Sequence, residues 1–225
     1  MKVENIAIIG GSSELAKSFI NLVDTKKFNV FSISRTVNSE MKQNSYLKVD
    51  DYILDSEKII NFLDNKKNLK IIFFNGFLAE NRATQIPTSE EVSKTDFINF
   101  QVPYVLTRTF ENNLKNVDKY IYISSMAAVR PRYKNYIYGL SKMKLETSIK
   151  FLNPKKYLFI RFGKIITNMS KDHKDPPFVM TPESAGNFIL KNLDSNGIIY
   201  PKFQLKIISY ILKMTPFKLM KNLKY

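Results

Sequence analysis

The feature of this sequence that most limits its possible folds is a regular alternation of short apolar runs with longer amphipathic segments. The apolar runs have the length of strands and lie at residues 3–9, 29–34, 46–49, 70–74, 120–124, 157–162 and 198–200. Segments with helical spacing fill the gaps, best marked at residues 13–23, 56–63, 92–114, 136–152 and 182–192. This alternation is typical of repeated βαβ units. We therefore predict a single α/β domain whose doubly wound parallel sheet has about seven strands.

The charge of the chain indicates a negatively charged partner. Its formal net charge is +15, which favours nucleic acid, anionic lipid or a phosphate-bearing small molecule, and the sign alone does not choose among them. With no cysteine and a single histidine, His173, we expect no metal site. His173 lies in a polar segment that could close over a site or simply be exposed. No cleavable signal or membrane-spanning run is evident, so the expected location is the cytoplasm.

The turn after the first strand is a predicted phosphate site. It combines two glycines with the start of a helix, and its members are Gly10, Gly11, Ser12, Ser13, Glu14 and Leu15. A flexible turn in this position brings backbone amides and a helix N-terminus to one point. After the second strand come Ser34 and Arg35, where an acidic residue would favour NAD; these two favour the 2′-phosphate of NADP, unless Arg35 is only a surface arginine.

Polar residues also follow the third and fourth strands. Asp50 comes after the third strand, and Asn75 and Gly76 come after the fourth. Ligands of doubly wound sheets bind beyond the carboxyl ends of the strands. These three residues are therefore candidates for contact with a bound cofactor.

Tyr138 and Lys142 are four residues apart in a predicted helix, so their side chains share one face. A tyrosine normally titrates near pH ~10, and a nearby ammonium group favours its phenolate form. The pair therefore suits proton transfer. In a chain with 35 basic residues and 12 tyrosines, the same spacing also arises by chance on an exposed helix face.

Over essentially its whole length, the chain resembles the short-chain dehydrogenase/reductase family. Ser125 ends the fifth strand, Tyr138 follows thirteen positions later and Lys142 four beyond it, while Asn99 matches the fourth member of the family's catalytic tetrad. The resemblance implies a Rossmann fold and hydride transfer from NADPH to a ketone. Tyr138 would donate the proton, Ser125 would bind the carbonyl oxygen, Lys142 would lower the Tyr138 pKa and hold the nicotinamide ribose, and Asn99 would support a proton path.

The resemblance also implies a set of residues that bind NADP, with NAD as the alternative. Residues 161–167 resemble the segment that receives the nicotinamide end. Glu14 and Ala16 replace two family glycines, and Phe162 stands where proline is usual. The implied cofactor-binding residues are Gly10, Ser12, Ser13, Glu14, Leu15, Ser34, Arg35, Asp50, Asn75, Gly76, Tyr138, Lys142, Arg161, Gly163, Ile165 and Thr167.

Within that family the chain is most similar to the decaprenylphosphoryl 2-keto-ribose reductases. The shared features are residues 10–15, residues 129–132 before residues 136–139, and a basic apolar tail after residues 198–201. This likeness implies a ketosugar substrate that is linked to phosphate or polyprenyl phosphate, in cell-surface polysaccharide biosynthesis. Arg130, Arg132 and Tyr133 are then candidate substrate-binding residues; the alternatives are surface charge for the arginines and simple packing for Tyr133.

The C-terminal segment, residues 201–225, is predicted to be a basic amphipathic extension of the catalytic domain formed by residues 1–200. It contains six lysines and no acidic residue, interleaved with large apolar side chains and interrupted by Pro216. Such a helix would lie in the interface of an anionic membrane, here its inner face. The alternative is that its apolar face packs on the domain and its lysines are merely solvated.

Rival functions belong to other classes. A soluble reductase of nucleotide-linked or other small carbonyl substrates is the main alternative, and a non-catalytic NADP-binding regulator is another. No nucleic-acid-binding motif accompanies the basic charge, so we expect no nucleic acid partner. The family resemblance implies a homodimer or homotetramer through the helices that contain Asn99 and Tyr138.

Overall fold

One seven-stranded sheet forms the centre of the computed structural model, which describes residues 3–36, 45–78, 86–131, 135–152, 156–170, 176–216 and 218–219. The strands are β1 (Glu4–Ile9), β2 (Phe28–Ser34), β3 (Tyr46–Lys48), β4 (Leu69–Phe73), β5 (Val117–Ser125), β6 (Tyr157–Phe162) and β7 (Gly197–Ile199). They are all parallel, in the order β3-β2-β1-β4-β5-β6-β7. The direction of winding reverses between β1 and β4, which creates a crevice at their carboxyl ends.

Helices cover both faces of the sheet. They are α1 (Glu14–Leu22), α2 (Ser56–Leu63), α3 (Ser89–Asp96), α4 (Val102–Asn113), α5 (Tyr136–Leu152), α6 (Pro182–Lys191) and α7 (Phe203–Met214). Helices α2, α4 and α5 contribute to a core cluster on one face, and α1 and α6 to a cluster on the other. The predicted doubly wound α/β fold is confirmed.

The central strands are apolar on both sides because both of their faces are covered. In β1, Ala7 and Ile9 belong to one core cluster, while Ile6 and Ile8 belong to the other. Successive side chains of a strand point to opposite faces, and a strand buried on both faces therefore appears as a continuous apolar run. For this reason, continuous apolar runs in the sequence predict β1 and β4.

The segment predicted as one helix at 92–114 has three parts. Helix α3 begins earlier, at Ser89, because Thr88 and Glu91 form a capping box. A π-helical turn, Phe97–Gln101, separates α3 from α4. Pro103 lacks the N–H that would bond to the carbonyl of Asn99, so the regular helical ladder cannot continue there. The interruption lies at one of the predicted catalytic residues.

Helix α7 ends at Met214, two residues before Pro216. Its end agrees with the interruption predicted from that proline. Within the described ranges, we find no helix both long and apolar enough to cross a membrane.

Candidate active site

The turn between β1 and α1 lies tightly against the end of β4. Gly10 has φ +87°, and a Cβ atom there would lie 3.0 Å from the backbone nitrogen of Asn75. A Cβ atom on Gly11 would lie 1.9 Å from the hydroxyl of Ser32. Larger residues therefore do not fit this turn without displacement. The glycines let the turn and the N-terminus of α1 meet at the crevice between β1 and β4, which fits a bound phosphate group.

Helix α1 is started by side chains of the predicted phosphate turn. The hydroxyl of Ser13 accepts a hydrogen bond from the backbone N–H of Ala16 at 3.1 Å. The carboxylate of Glu14 accepts the backbone N–H of Asn168, with its two oxygens at 3.0 and 3.2 Å. Glu14 thus ties the turn to the segment after β6. Ser12 is exposed and Leu15 is buried, so a ligand would meet Leu15 through its backbone.

Around the end of β2, Arg35 is exposed, whereas Ser34 is buried and its hydroxyl donates to the carbonyl of Thr36 at 2.7 Å. The Asp50 side chain, after β3, is 90% exposed and lies 3.9 Å from the ammonium of Lys48. Burial raises the pKa of the neighbouring Tyr52 to about 12, although the charge of Arg35 opposes this shift. The guanidinium of Arg35 is therefore better placed than the hydroxyl of Ser34 to meet a phosphate from solvent.

Tyr138 and Ser125 are brought together where β5 and α5 meet. The hydroxyl of Ser125 lies close enough to that of Tyr138 to act on its pKa. The hydroxyl of Ser125 also accepts the backbone N–H of Ala127 at 3.1 Å, which starts a short 3-10 turn, Met126–Ala128. A Cβ atom on Gly139 would lie only 2.8 Å from the carbonyl oxygen of Ala127. Glycine at position 139 therefore lets α5 approach this turn closely.

Lys142 lies one turn further along α5 and is only 4% exposed. Its Nζ donates to the carbonyl oxygens of Ile123 at 3.1 Å and Asn75 at 3.3 Å, and it lies 5.9 Å from the centre of the Tyr138 ring. Burial lowers the pKa of Lys142 to about 8, while the charge of Glu146 opposes the shift. A lysine in this setting can change its protonation near neutral pH.

The pKa of Tyr138 is shifted upward, opposite to the sequence-based expectation. Burial raises it to about 12, and the hydrogen bond from Ser125 acts in the lowering direction. The cost of placing a phenolate in a desolvated position therefore outweighs the lowering effect of Ser125. Tyr138 is consequently protonated at neutral pH, which is the form required of a proton donor.

Asn99 holds the segment that follows β4. Its side chain is fully buried in the π-helical turn, where its Oδ1 accepts from the N–H of Phe77 at 2.9 Å and its Nδ2 donates to the Phe77 carbonyl at 2.8 Å. This doublet fixes the backbone next to Asn75 and Gly76. The buried Oδ1 of Asn75 has no hydrogen-bond partner. An acceptor without a donor at this position fits a ligand that carries one.

A buried ionic network lies behind Lys142. Glu146, 2% exposed, pairs with the guanidinium of Arg161 and accepts the hydroxyl of Ser124 at 2.6 Å. Arg161 also donates to the hydroxyl of Tyr200 at 2.7 Å. The guanidinium of the predicted cofactor-binding residue Arg161 is engaged in this network, and its role toward a cofactor stays a prediction. Sequence reasoning missed Glu146, although its position four residues after Lys142 was a usable signal.

The remaining predicted cofactor residues lie in the segment that follows β6. Gly163 lies against Leu205 of α7, with the leucine methyls 3.7 Å from where a Cβ atom would be. Ile165 pairs with Met180 in an isolated β-bridge, and the N–H of Thr167 donates to the hydroxyl of Ser170 at 3.1 Å. The cofactor roles of these three residues stay predictions.

Of the predicted substrate-binding residues, only Arg130 can be described. Its Nη1 donates to the carbonyl oxygens of Lys213 at 3.1 Å and Leu212 at 3.4 Å, so it caps the C-terminal end of α7. Arg132 and Tyr133 lie outside the described residues, as does His173. Among the residues that the structure describes, there is no group of three or more potential metal ligands.

Several solved structures have a fold similar to that of this chain. A short-chain dehydrogenase from Burkholderia cenocepacia J2315, crystallised with NADP, is 17% identical, with 95% of each chain covered and a TM-score of 0.75. A 3-oxoacyl-[acyl-carrier protein] reductase from Brucella melitensis, crystallised with NAD, is 14% identical, with 92% of this chain and 98% of that chain covered and a TM-score of 0.76. A short-chain dehydrogenase family protein from Francisella tularensis subsp. tularensis SCHU S4 is 17% identical, with 88% of this chain and 97% of that chain covered and a TM-score of 0.73.

Neither a scan of protein-family models nor a search of curated proteins finds a match to the sequence. At 14 to 17% identity, the solved structures show that the chain has the fold of the short-chain dehydrogenases and reductases. Function has to be argued from the site itself.

Proposed function

We propose that the chain is an NAD(P)H-dependent oxidoreductase of the short-chain dehydrogenase/reductase type that reduces a ketone. The observation that carries this proposal is the placement of Tyr138 beside Ser125 and one helical turn from the buried Lys142. All three lie at the carboxyl ends of the strands, beside the crevice where Gly10 approaches Asn75. A proton donor, a second hydroxyl for the carbonyl oxygen and a cation therefore converge next to a phosphate-sized turn.

The chemistry assigned to the chain is proton delivery. A nicotinamide, when bound, supplies the hydride that adds to the carbonyl carbon. Tyr138 would donate a proton to the carbonyl oxygen while Ser125 donates a hydrogen bond to it, so that the ketone becomes an alcohol. Lys142 stabilises the phenolate that Tyr138 would become. The reverse oxidation uses the same groups.

NADP is the proposed cofactor, with NAD as the alternative. The backbone of residues 10–15 would hold the pyrophosphate, and Arg35 the 2′-phosphate. The crystallised relatives from Burkholderia and Brucella carry NADP and NAD respectively. Fluorescence titration with NADPH and NADH tests this assignment: Arg35→Gln should weaken NADPH more than NADH, whereas equal weakening of both would contradict it.

The proposed substrate is a ketosugar linked to phosphate or polyprenyl phosphate, used in cell-surface polysaccharide biosynthesis. Support comes from the sequence likeness at residues 10–15 and 129–132 and from the net charge of +15, which suits an anionic substrate. Arg130, Arg132 and Tyr133 are proposed to lie near the sugar. The helix-cap contacts of Arg130 use one of its nitrogens and leave other guanidinium donors for a phosphate.

The experiment is an NADPH-oxidation screen over free, nucleotide-linked and prenyl-phosphate-linked ketosugars, run with the wild type and Tyr138→Phe. Turnover with the prenyl-phosphate form supports the full proposal. Turnover with nucleotide-linked sugars alone favours the soluble-reductase alternative. NADPH binding without turnover of any ketone would favour a non-catalytic regulator and contradict the enzyme assignment.

We further propose that residues 1–200 form the catalytic domain of a cytoplasmic homodimer or homotetramer. A groove of about 1100 Å³ lies on the outer side of α3 and α5 and includes Phe97, Leu140 and Met143. Apolar residues around such a groove suit self-association. Light scattering should then give a dimer or tetramer, and Leu140→Glu should lower the mass; a monomeric wild type would contradict this assembly.

A further inference from the structure

Helix α7 turns most of its large apolar side chains away from the protein. Leu205 and Ser209 are buried at 4% and 1% exposure. On the opposite face five side chains are exposed, and we name them the α7 stripe: Phe203 69%, Ile207 51%, Tyr210 57%, Ile211 60% and Met214 84%. With about 3.6 residues per turn, they form one continuous row. A surface helix normally buries such a row.

The alternative raised from the sequence was that the apolar face of this segment packs on the domain. In the structure Leu205 packs there, together with the half-buried Ile208 and Leu212. The α7 stripe has no such cover among the described residues. The helix therefore has apolar residues on two sides, and the second side needs its own explanation.

The stripe is attached to the candidate site. Leu205, on the inner side of α7, lies 3.7 Å from the Cβ position of Gly163, just past the end of β6. Arg130 holds the last turn of α7 through the carbonyl of Lys213 and belongs to the segment between Ser125 and Tyr138. Helix α7, whose outer side carries the stripe, therefore borders the same end of the sheet as the predicted catalytic residues.

Positive charge follows one edge of the stripe. Lys206 and Lys213 are exposed and lie about 100° of helical rotation or less from the centre of the stripe. Lys213 lies 5.7 Å from the ring centre of Tyr210, which marks the boundary between the apolar and the charged side chains. Residues 201–225 contain no aspartate or glutamate. Apolar residues, a boundary tyrosine and lysines in this order match the headgroup region of an anionic bilayer.

The charges also argue against a second copy of the chain as the occupant. Pairing of two α7 stripes would bring the exposed Lys206 and Lys213 edges of two chains together, where like charges repel. A membrane with anionic phospholipid supplies both the apolar layer and the opposite charge. Charge complementarity therefore selects lipid over self-association.

We propose that the α7 stripe docks on the surface of a membrane that contains anionic phospholipid, with α7 lying in the plane of the interface. The candidate site then lies beside the headgroups, where the head of a lipid-linked substrate is presented. The membrane contact rests on the exposure and charge of α7, and only its use for a lipid-linked ketosugar rests on the proposed function.

The test is flotation of the full chain with vesicles. One set is phosphatidylcholine alone, and the other is phosphatidylcholine and phosphatidylglycerol in equal parts. The wild type should float with the anionic vesicles at low salt and much less at about 1 M salt, where charges are screened beyond ~3 Å. The double variant Ile207→Ser/Ile211→Ser should reduce partitioning roughly tenfold or more, because two apolar side chains lose their burial.

The matched control is Leu54→Ser/Ile86→Ser, which removes two exposed apolar side chains, 86% and 92% exposed, outside α7. This variant should float like the wild type, and both double variants should melt cooperatively. NADPH oxidation with a water-soluble ketosugar should be unchanged in the stripe variant, which separates this inference from the proposed function.

Three results would overturn the proposal. The first is wild-type protein that remains in the unbound fraction in the presence of anionic vesicles. The second is a stripe variant that floats as well as the wild type. The third is a stripe variant whose mass by light scattering falls while its flotation is unchanged, which would identify the α7 stripe as a self-association surface.

Discussion

Two buried lysines at opposite ends of the sheet have opposite surroundings. Lys70, near the amino ends of the strands, is 5% exposed and forms ion pairs with Glu4 and Asp194. Lys142, near the carboxyl ends, is 4% exposed, and its hydrogen bonds go to the backbone carbonyls of Asn75 and Ile123. Burial acts to lower both pKa values; the two carboxylates reverse this for Lys70, whose pKa is raised, whereas the pKa of Lys142 falls to about 8.

The contrast shows that the partners of a buried cation, more than its burial, determine what it can do. Carboxylates fix the charge on Lys70, so this lysine joins elements distant in sequence and has no reason to titrate. Carbonyl oxygens bind an ammonium group but do not cancel its desolvation cost. Lys142 is therefore held in place and yet able to lose its proton, which is the property expected at a catalytic site.

Lys119 supports the same rule at the amino end. It is 8% exposed and donates to the carbonyls of Asp194 at 2.7 Å and Ser195 at 3.0 Å. Burial lowers its pKa, although the charge of Asp194 opposes the shift. The carbonyl-bound lysines thus shift downward at both ends, and at the carboxyl end Lys142 lies 5.9 Å from the ring centre of Tyr138.

The largest expected effect is the loss of the carboxyl-end chemistry in Tyr138→Phe. Removal of one hydroxyl deletes the proton donor and should lower turnover by at least the ~10²-fold typical of acid–base catalysis, with NADPH binding retained. Stopped-flow measurement of NADPH oxidation and fluorescence titration of NADPH give the two values. Near-normal turnover would remove Tyr138 from the mechanism.

Replacement of each buried lysine by methionine should separate the two ends. Lys142→Met should lower turnover by roughly 10²-fold, because the phenolate loses its cation. Lys70→Met should leave turnover within about twofold and instead reduce the free energy of unfolding by up to about 1 kcal/mol, because its ion pairs with the exposed Glu4 and Asp194 carboxylates are screened by solvent. Steady-state kinetics and urea unfolding of both variants provide the comparison.

An exchange of these outcomes would break the comparison. If Lys70→Met removed activity without loss of stability, the amino end would have a functional role that its ion pairs do not explain. If Lys142→Met were fully active, the position of Lys142 beside Tyr138 would have no catalytic meaning.

A glycine substitution tests how closely α5 must approach the end of β5. Gly139→Ala places a Cβ atom 2.8 Å from the Ala127 carbonyl, so the helix must move away from the turn that holds Ser125. We expect a turnover loss of roughly tenfold and a stability loss of about 1 to 3 kcal/mol from overpacking. Gly163→Ala is the matched control for stability, since its Cβ atom would meet neighbours at 3.6 to 3.7 Å, an ordinary contact.

Steady-state kinetics give the turnover of the two variants, and thermal unfolding gives their stability. If Gly139→Ala were as stable and as active as the wild type, the close packing of α5 on the 3-10 turn would not be required for the position of Tyr138.

The fold was predictable from the sequence because its central strands are covered on both faces. A continuous apolar run predicts strands such as β1 and β4, and the spacing of apolar residues predicts helices such as α2 and α5. The predicted site residues Ser125, Tyr138 and Lys142 also converge, because α5 packs against the carboxyl end of β5.

The remaining features depend on contacts between distant residues. The π-helical turn at Asn99 follows from Pro103 and the backbone of Phe77, and local helical periodicity does not show either effect. The pairing of Arg161 with Glu146 and the capping of α7 by Arg130 each join residues far apart in the chain. The sequence does not show which partner a charged side chain will bind, so the pairing of Arg161 with Glu146 was not predicted.

The smallest expected effect concerns the ionic network behind Lys142. The charge of Glu146 raises the pKa of Lys142 against the effect of burial. In Glu146→Gln that pKa should fall further, so the loss of turnover that occurs as pH rises through about 8 in the wild type should begin at lower pH. A pH profile of NADPH-dependent turnover measures this shift.

Ser124→Ala is the control, because it removes one hydrogen bond to Glu146 at 2.6 Å without changing charge. Its pH profile should coincide with that of the wild type. A profile of Glu146→Gln that is scaled down but unshifted would assign Glu146 a purely structural role.

The central claim, that the carboxyl end of the sheet holds a lysine able to titrate near neutral pH, is tested most directly by measuring the lysine pKa values. In protein labelled with ¹³C at lysine Cε, NMR resonances can be followed from neutral to alkaline pH and assigned with Lys142→Met and Lys70→Met. We predict that the Lys142 resonance titrates near pH 8 and that Lys70 remains charged beyond its ordinary value of 10.5. A Lys142 resonance that titrates together with that of Lys70 would contradict the account.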